Sequence, residues 1–141
     1  MAEAPRVRDV MTTKLVTLCE EDNLEGVAQS MQDFHIRHLP VVDGDRLVGM
    51  VTQSDLLRLS MTALGATGVA SSIQASIEQR TFVAQIMQRN PPTLTPDTSL
   101  AEAARLLLQT RAGALAVVDA TGDLVGILSE IDVLRVAVDR L

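Results

Sequence analysis

An α+β fold of two β-α-β-β-α units, packed with pseudo-twofold symmetry, is what this sequence predicts. Three observations lead there. The chain is internally duplicated, each copy repeats the same order of apolar periods, and its 141 residues are 47% hydrophobic but only 1% aromatic. The duplication sets the architecture. Shifted by 76 positions, Met11 falls on Met87, Thr17-Leu18 on Thr93-Leu94, Leu24 on Leu100 and Val41-Val42-Asp43 on Val117-Val118-Asp119. One extra residue then moves the offset to 77, where Leu47-Val48-Gly49 meets Leu124-Val125-Gly126 and Asp55 meets Asp132. That insertion falls in the turn Asp119–Asp123, and turns tolerate changes of length.

Each element follows in order. Leu15–Leu18 reads as a short strand, with Pro91–Leu94 as its proline-stiffened counterpart. Leu24, Val27, Ala28 and Met31 recur at helical spacing. In the second copy, Ser99 and Glu102 have the spacing of a capping box ahead of Leu100, Ala103, Ala104 and Leu107. Leu39–Val42 and Leu47–Val51 flank an Asp/Gly turn, which predicts a hairpin. Ser54-Asp55 opens the closing helix of the first copy, and Asp132 that of the second. One copy is too small to bury its own sheet, and two packed face to face would solve that.

The repeats span 7–62 and 83–141, with 63–82 as linker. Gly65 and Gly68 are expected to interrupt helicity there, while Ile73 and Ile77 stand one helical turn apart. The linker reads as a connection with one helical stretch, and a mobile lid over a ligand is the alternative.

Composition excludes several functions. Twelve basic against eighteen acidic residues leave a net charge of −6, which argues against nucleic acid or an anionic membrane as partner. A small anion held by a few local cations stays possible. With Phe34 and Phe82 as the aromatic residues, base-stacking platforms and aromatic cages are hard to build. Cys19 stands alone, so an internal disulfide or a thiolate zinc cluster is excluded. Met1–Pro5 does not read as a signal peptide, and no apolar run nears the roughly 20 residues of a membrane span. A soluble, cytoplasmic protein is expected.

Val10-Met11-Thr12, Val16-Thr17-Leu18, Ile36–Asp43 and Gly49–Asp55 together resemble a CBS domain. Ile86-Met87, Leu115–Asp119 and Gly126–Asp132 make the second copy resemble one too. The resemblance covers nearly the whole chain apart from the linker and the extreme N-terminus. A tandem pair of this kind is similar to a Bateman module, which implies a stand-alone regulatory unit that binds adenosine-containing ligands and forms a homodimer. AMP, ADP, ATP or S-adenosylmethionine are the implied ligands, bound as regulators and not as cofactors.

The chemistry also follows from the residues. Both copies carry Gly-x-x-[Ser/Thr]-x-x-Asp, placing Thr52 and Asp55, and Ser129 and Asp132, between a strand and a helix N-terminus. An ionised carboxylate only accepts hydrogen bonds and can take both hydroxyls of a ribose. The adjacent helix N-terminus offers N–H groups suited to a phosphate. The bland alternative is that both aspartates are simply helix caps. The resemblance implies composite pockets. One joins Ser129 and Asp132 to Val16, Thr17, Ile36, Arg37, His38 and Pro40, with Lys14 close by in sequence. The other joins Thr52 and Asp55 to Pro92, Thr93, Ala112, Gly113 and Ala114. This second pocket has Ala112-Gly113-Ala114 where the first has Ile36-Arg37-His38, and Pro92 removes a backbone donor.

His35 and His38 have H-x-x-H spacing but no evident third ligand, so no metal site is expected. A P-loop, a dinucleotide fingerprint and a nucleophile–base pair are all missing, so no enzymatic activity is expected. The alternative function is a dimerisation or partner-binding scaffold with degenerate nucleotide sites.

Overall fold

The computed structural model describes residues 4–67 and 76–141. The elements are α1 (Val7–Val10), α2 (Val27–Asp33), β1 (His38–Asp43), β2 (Arg46–Thr52), α3 (Gln53–Thr67), α4 (Val83–Ile86), β3 (Gln88–Arg89), β4 (Thr93–Leu94), α5 (Leu100–Thr110), β5 (Ala114–Val118), β6 (Leu124–Ser129) and α6 (Glu130–Val138). Two three-stranded sheets form, in the orders β1-β2-β3 and β4-β5-β6. The mixed helix-and-sheet class is present, and the second copy shows the expected β-α-β-β-α order in full, as β4, α5, β5, β6 and α6, whereas the first copy lacks its leading strand.

The chain divides into two compact units that do not follow its linear order. One comprises the described residues of Met1–Leu15, Asp45–Leu47 and Pro91–Leu141; the other those of Val16–Gly44 and Val48–Asn90. In the first, α1 sits on the turn before α5: the Val7 N–H donates to the Thr98 carbonyl (2.9 Å), Arg8 to Pro96 (3.0 Å) and Leu100 back to Pro5 (3.0 Å). Thr12 then pairs with Ile127 through bonds of 2.9 and 3.0 Å. The second unit repeats this pattern with its own residues. Val83 donates to Asp22 (2.7 Å), Ala84 to Glu20 (3.2 Å) and Leu24 to Thr81 (3.1 Å), while β3 runs antiparallel to β2 with Met50 opposite Gln88. Each unit thus takes its first helical turn, and a pairing partner for its hairpin (the Thr12 bridge in one, β3 in the other), from the stretch preceding the other unit's repeat. α1 and α4 were not anticipated from the sequence, because a single turn carries no readable period.

Each unit has its own aliphatic core. Val7, Leu94, Leu100, Ala103, Leu107, Leu115, Val117 and Leu128 build one. Leu24, Val27, Met31, Leu39, Val41, Val51, Val83 and Met87 build the other. A fully buried Val or Leu contributes about 1.5–3 kcal/mol, so cores of this kind hold without aromatic residues.

Some local expectations need correction. Ala28 is exposed, because Gly26 caps α2 at φ 78° and the helix begins at Val27 with Val27 and Met31 on its inner face, while Leu24 is buried ahead of the helix and not on it. Leu15–Leu18 contracts to a single parallel bridge, Leu18 to Val41. Gly65 does not break its helix: α3 runs through it to Thr67, since one glycine costs only about 1 kcal/mol among good helix formers. Gly68 and Ile73, and with them most of the lid alternative, lie outside the described residues. Ile77 lies on a helical stretch, 76–80, and is half-buried. The longer turn is held by Asp119 Oδ1, which accepts from Thr121 N (2.9 Å), Thr121 Oγ1 (2.7 Å) and Asp123 N (3.0 Å).

Candidate functional site

Both aspartates sit where a strand runs directly into a helix. β6 ends at Ser129 and α6 starts at Glu130. Ser129 Oγ accepts from the Asp132 N–H (3.2 Å), and Asp132 Oδ2 accepts from the Ser129 N–H (2.9 Å) and from Ser129 Oγ (3.1 Å). Thr52 and Asp55 repeat this box at the start of α3, with bonds of 2.8 and 3.2 Å. The capping role weighed from sequence is therefore present at both places. It commits one carboxylate oxygen of each aspartate and leaves the other for something else.

What the other oxygen does differs between the copies. Asp55 Oδ1 is bound by the Arg58 guanidinium, one helical turn along α3. Arg135 occupies the corresponding position in the second copy, yet among the described residues no ion pair or hydrogen bond reaches Asp132 Oδ1. Asp132 remains 9% exposed, and no buried side-chain oxygen among the described residues lacks a partner, so Oδ1 is reached by solvent. Neither Arg58 nor Arg135 is among the residues expected of either site from the sequence. The available signal was the i,i+3 spacing from each aspartate.

The backbone ahead of the hairpin is tied to the same corner. The Gln53 N–H donates to the Arg37 carbonyl (2.9 Å), and the Glu130 N–H to the Gly113 carbonyl (2.9 Å). Gly113 takes φ 79°, a left-handed conformation that favours glycine. Within one unit, Thr52, Gln53 and Asp55 are thus joined to Arg37; within the other, Ser129, Glu130 and Asp132 are joined to Gly113 and to Ala114, which lies opposite Ser129 in the β5–β6 ladder.

The remaining expected residues fall as follows. Val16 and Ile36 are half-buried against one core, His38 is half-buried at the start of β1, and Thr17 and Arg37 are exposed. Pro40 is fully buried, and its carbonyl accepts from the Leu18 N–H (2.9 Å). In the other unit, Lys14 and Thr93 are exposed, Ala112 packs half-buried on the core and Ala114 is 5% exposed. Lys14 and Arg37 are the exposed cations of the expected set.

A cavity of about 460 Å³ is lined by Val16, itself one of the expected residues, by Leu18 and Leu39, and by the acidic Glu21, Asp22 and Glu25. Its acidic lining disfavours a phosphate, and neither Asp55 nor Asp132 borders it. Among the described residues no group of three or more His, Cys, Asp or Glu could hold a metal ion, and no helix is long and apolar enough to cross a membrane.

Comparison with known proteins places this geometry in context. The chain is 31% identical over 138 residues to a CBS domain-containing protein of Dictyostelium discoideum, covering 96% of this chain and 92% of that one. It is also 31% identical over 132 residues to protein MJ1225 of Methanocaldococcus jannaschii, but spans only 46% of that protein's length. Among solved structures it resembles CBSX2 of Arabidopsis thaliana, a CBS-pair protein, with a TM-score of 0.82 and 30% identity over 98% of this chain and 97% of that one. A structure of CBSX2 in complex with AMP gives a TM-score of 0.78 and 32% identity over 96% and 97% of the two chains. Matched as a CBS domain at 7–62 and again at 83–139, the chain belongs to the CBS domain family as a tandem pair.

Proposed function

We propose that this CBS pair is a regulatory module that binds adenosine-containing ligands (AMP, ADP, ATP or S-adenosylmethionine) and does not turn them over. One observation carries the reading: Asp132 uses one carboxylate oxygen to cap α6 and leaves the other uncommitted at the same helix N-terminus. An uncommitted carboxylate oxygen accepts from a ribose hydroxyl, and the helix end favours negative charge beside it. The likeness to CBSX2, which has been solved with AMP, supports this ligand class.

Ser129 and Asp132, with Lys14, Val16, Thr17, Ile36, Arg37, His38 and Pro40, are the proposed contacts of the principal site. Thr52 and Asp55, with Thr93, Ala112 and Ala114, are those of a second. Arg37 and Lys14 supply cations for phosphate in a chain that is otherwise acidic. Catalysis is not part of the proposal. The hydroxyls of Thr52 and Ser129 are engaged in capping α3 and α6, where each accepts the N–H of its own aspartate.

A homodimer is proposed as well. Ile131, Leu134 and Val138 are 59%, 59% and 63% exposed and share one face of α6, while Leu57 and Met61 lie one turn apart and exposed on α3. An apolar stripe of this kind suits an isologous contact with a second copy. Dimerisation without ligand is the second reading of the protein.

A thermal-shift panel separates the two. Ligand at a hundred times its dissociation constant adds about 2.7 kcal/mol of stability. Adenosine compounds are expected to raise the melting temperature and GMP to do so less. No shift with any adenosine compound at millimolar concentration leaves the scaffold reading standing.

A further inference from the structure

We propose that Arg58 is an internal latch on the Asp55 site, so that the two aspartates fill in order, Asp132 before Asp55. The inference rests on the function proposed above and concerns the regulation of its second site. Asp55 is 6% exposed and has two oxygens to offer. Oδ2 is taken by the Thr52 N–H at 2.8 Å, and Oδ1 by the Arg58 guanidinium. A ribose needs acceptor capacity on that second oxygen and meets a charge already neutralised. The Asp132 corner has the same capping box, the same helix start and an arginine at the same position, but no such pair among the described residues.

The latch is weak enough to open. The Arg58 side chain is 71% exposed, so water and salt compete for the guanidinium while the Asp55 side chain stays 5% exposed. Opening replaces one charge-assisted hydrogen bond with others, which lowers affinity at this corner without abolishing it. Adenosine is the informative probe because it carries no charge. Salt then acts on the latch and hardly on the ligand.

The test isolates the second site with Asp132→Asn, which keeps a hydrogen-bond acceptor for the cap, and adds Arg58→Gln. Calorimetry with adenosine is expected to show a gain of about threefold to tenfold on adding Arg58→Gln, the scale of one exposed-to-buried charge-assisted contact. Rising salt is expected to strengthen adenosine binding to Asp132→Asn and to leave the double variant flat. A further Asp55→Asn change is expected to erase the gain. If the natural protein binds adenosine compounds but Arg58→Gln leaves residual-site affinity and its salt response unchanged, or no binding remains in either variant, the latch is overturned. If the natural protein binds no adenosine compound, it is the underlying function that fails.

Discussion

Gly126 lies directly against Met11: a Cβ on this glycine would stand 2.5 Å from the Met11 sulfur and 3.2 Å from the Thr12 carbonyl oxygen. Gly49 repeats the relationship with Met87, at 2.7 Å from its sulfur and 3.0 Å from the Gln88 carbonyl oxygen. These glycines open the Gly-x-x-[Ser/Thr]-x-x-Asp motif, yet their need is for packing. Each lets the incoming segment, Met11-Thr12 or Met87-Gln88, close onto its strand.

Gly126→Ala and Gly49→Ala are therefore expected to destabilise the fold by about 1–3 kcal/mol, the usual cost of overpacking. Met11→Ala should recover part of the Gly126→Ala loss, because the sulfur can be removed while the Thr12 carbonyl cannot. Urea denaturation measures both effects. Unchanged midpoints in the two glycine variants would contradict the close approach.

Asp132→Ala and Asp55→Ala should lose similar stability, about 1 kcal/mol each, because both remove half of a capping box. Their ligand affinities should diverge. One hydrogen bond to a charged group is worth roughly 1.5–3 kcal/mol, so Asp132→Ala is expected to weaken AMP binding about tenfold to a hundredfold, and Asp55→Ala far less. Arg37→Ala should hurt AMP more than adenosine. Calorimetry reads all three, and equal losses at both aspartates would reassign the principal site.

Ile131→Glu with Leu134→Glu is expected to turn a homodimer into a monomer while leaving helicity intact. Both side chains are exposed, so the core does not depend on them. Light scattering at tens of micromolar, with circular dichroism as control, decides this. A natural chain that is already monomeric there refutes the dimer.

The turn at Asp119 should respond to acid. The Thr121 hydroxyl, followed by the backbone around Asp123, holds the Asp119 carboxyl below its ordinary value. A lowered folded pKa means the contribution is present above the unfolded pKa and is lost as pH falls through the folded one. The turn is expected to loosen only at a pH below that at which an ordinary Asp protonates, about 4. Asp119→Asn should remove that step from the amide shifts of Thr121 and Asp123, and an NMR titration that finds the step unchanged would falsify the assignment.

Much of the architecture was readable because it is local or repeated. Val27 and Met31 announce one helix and Leu100, Ala103 and Leu107 another, since a buried face must recur at the helical period. The duplication carried Asp55 and Asp132 to equivalent strand-to-helix corners before any contact was known. Ser99 does cap α5, accepting the Glu102 N–H at 3.2 Å.

Tertiary structure alone decided the rest. Thr12 pairs with Ile127, and Gln88 with Met50, through backbone groups that every residue carries, so no side-chain pattern could name the partner strand. The repeat aligned Met11 with Met87, but only packing set their sulfurs against Gly126 and Gly49. Asp55 and Asp132 have the same spacing to Arg58 and Arg135, yet one guanidinium closes on its carboxylate and the other does not. A surface arginine has several rotamers close in energy, and its surroundings in the folded chain select among them.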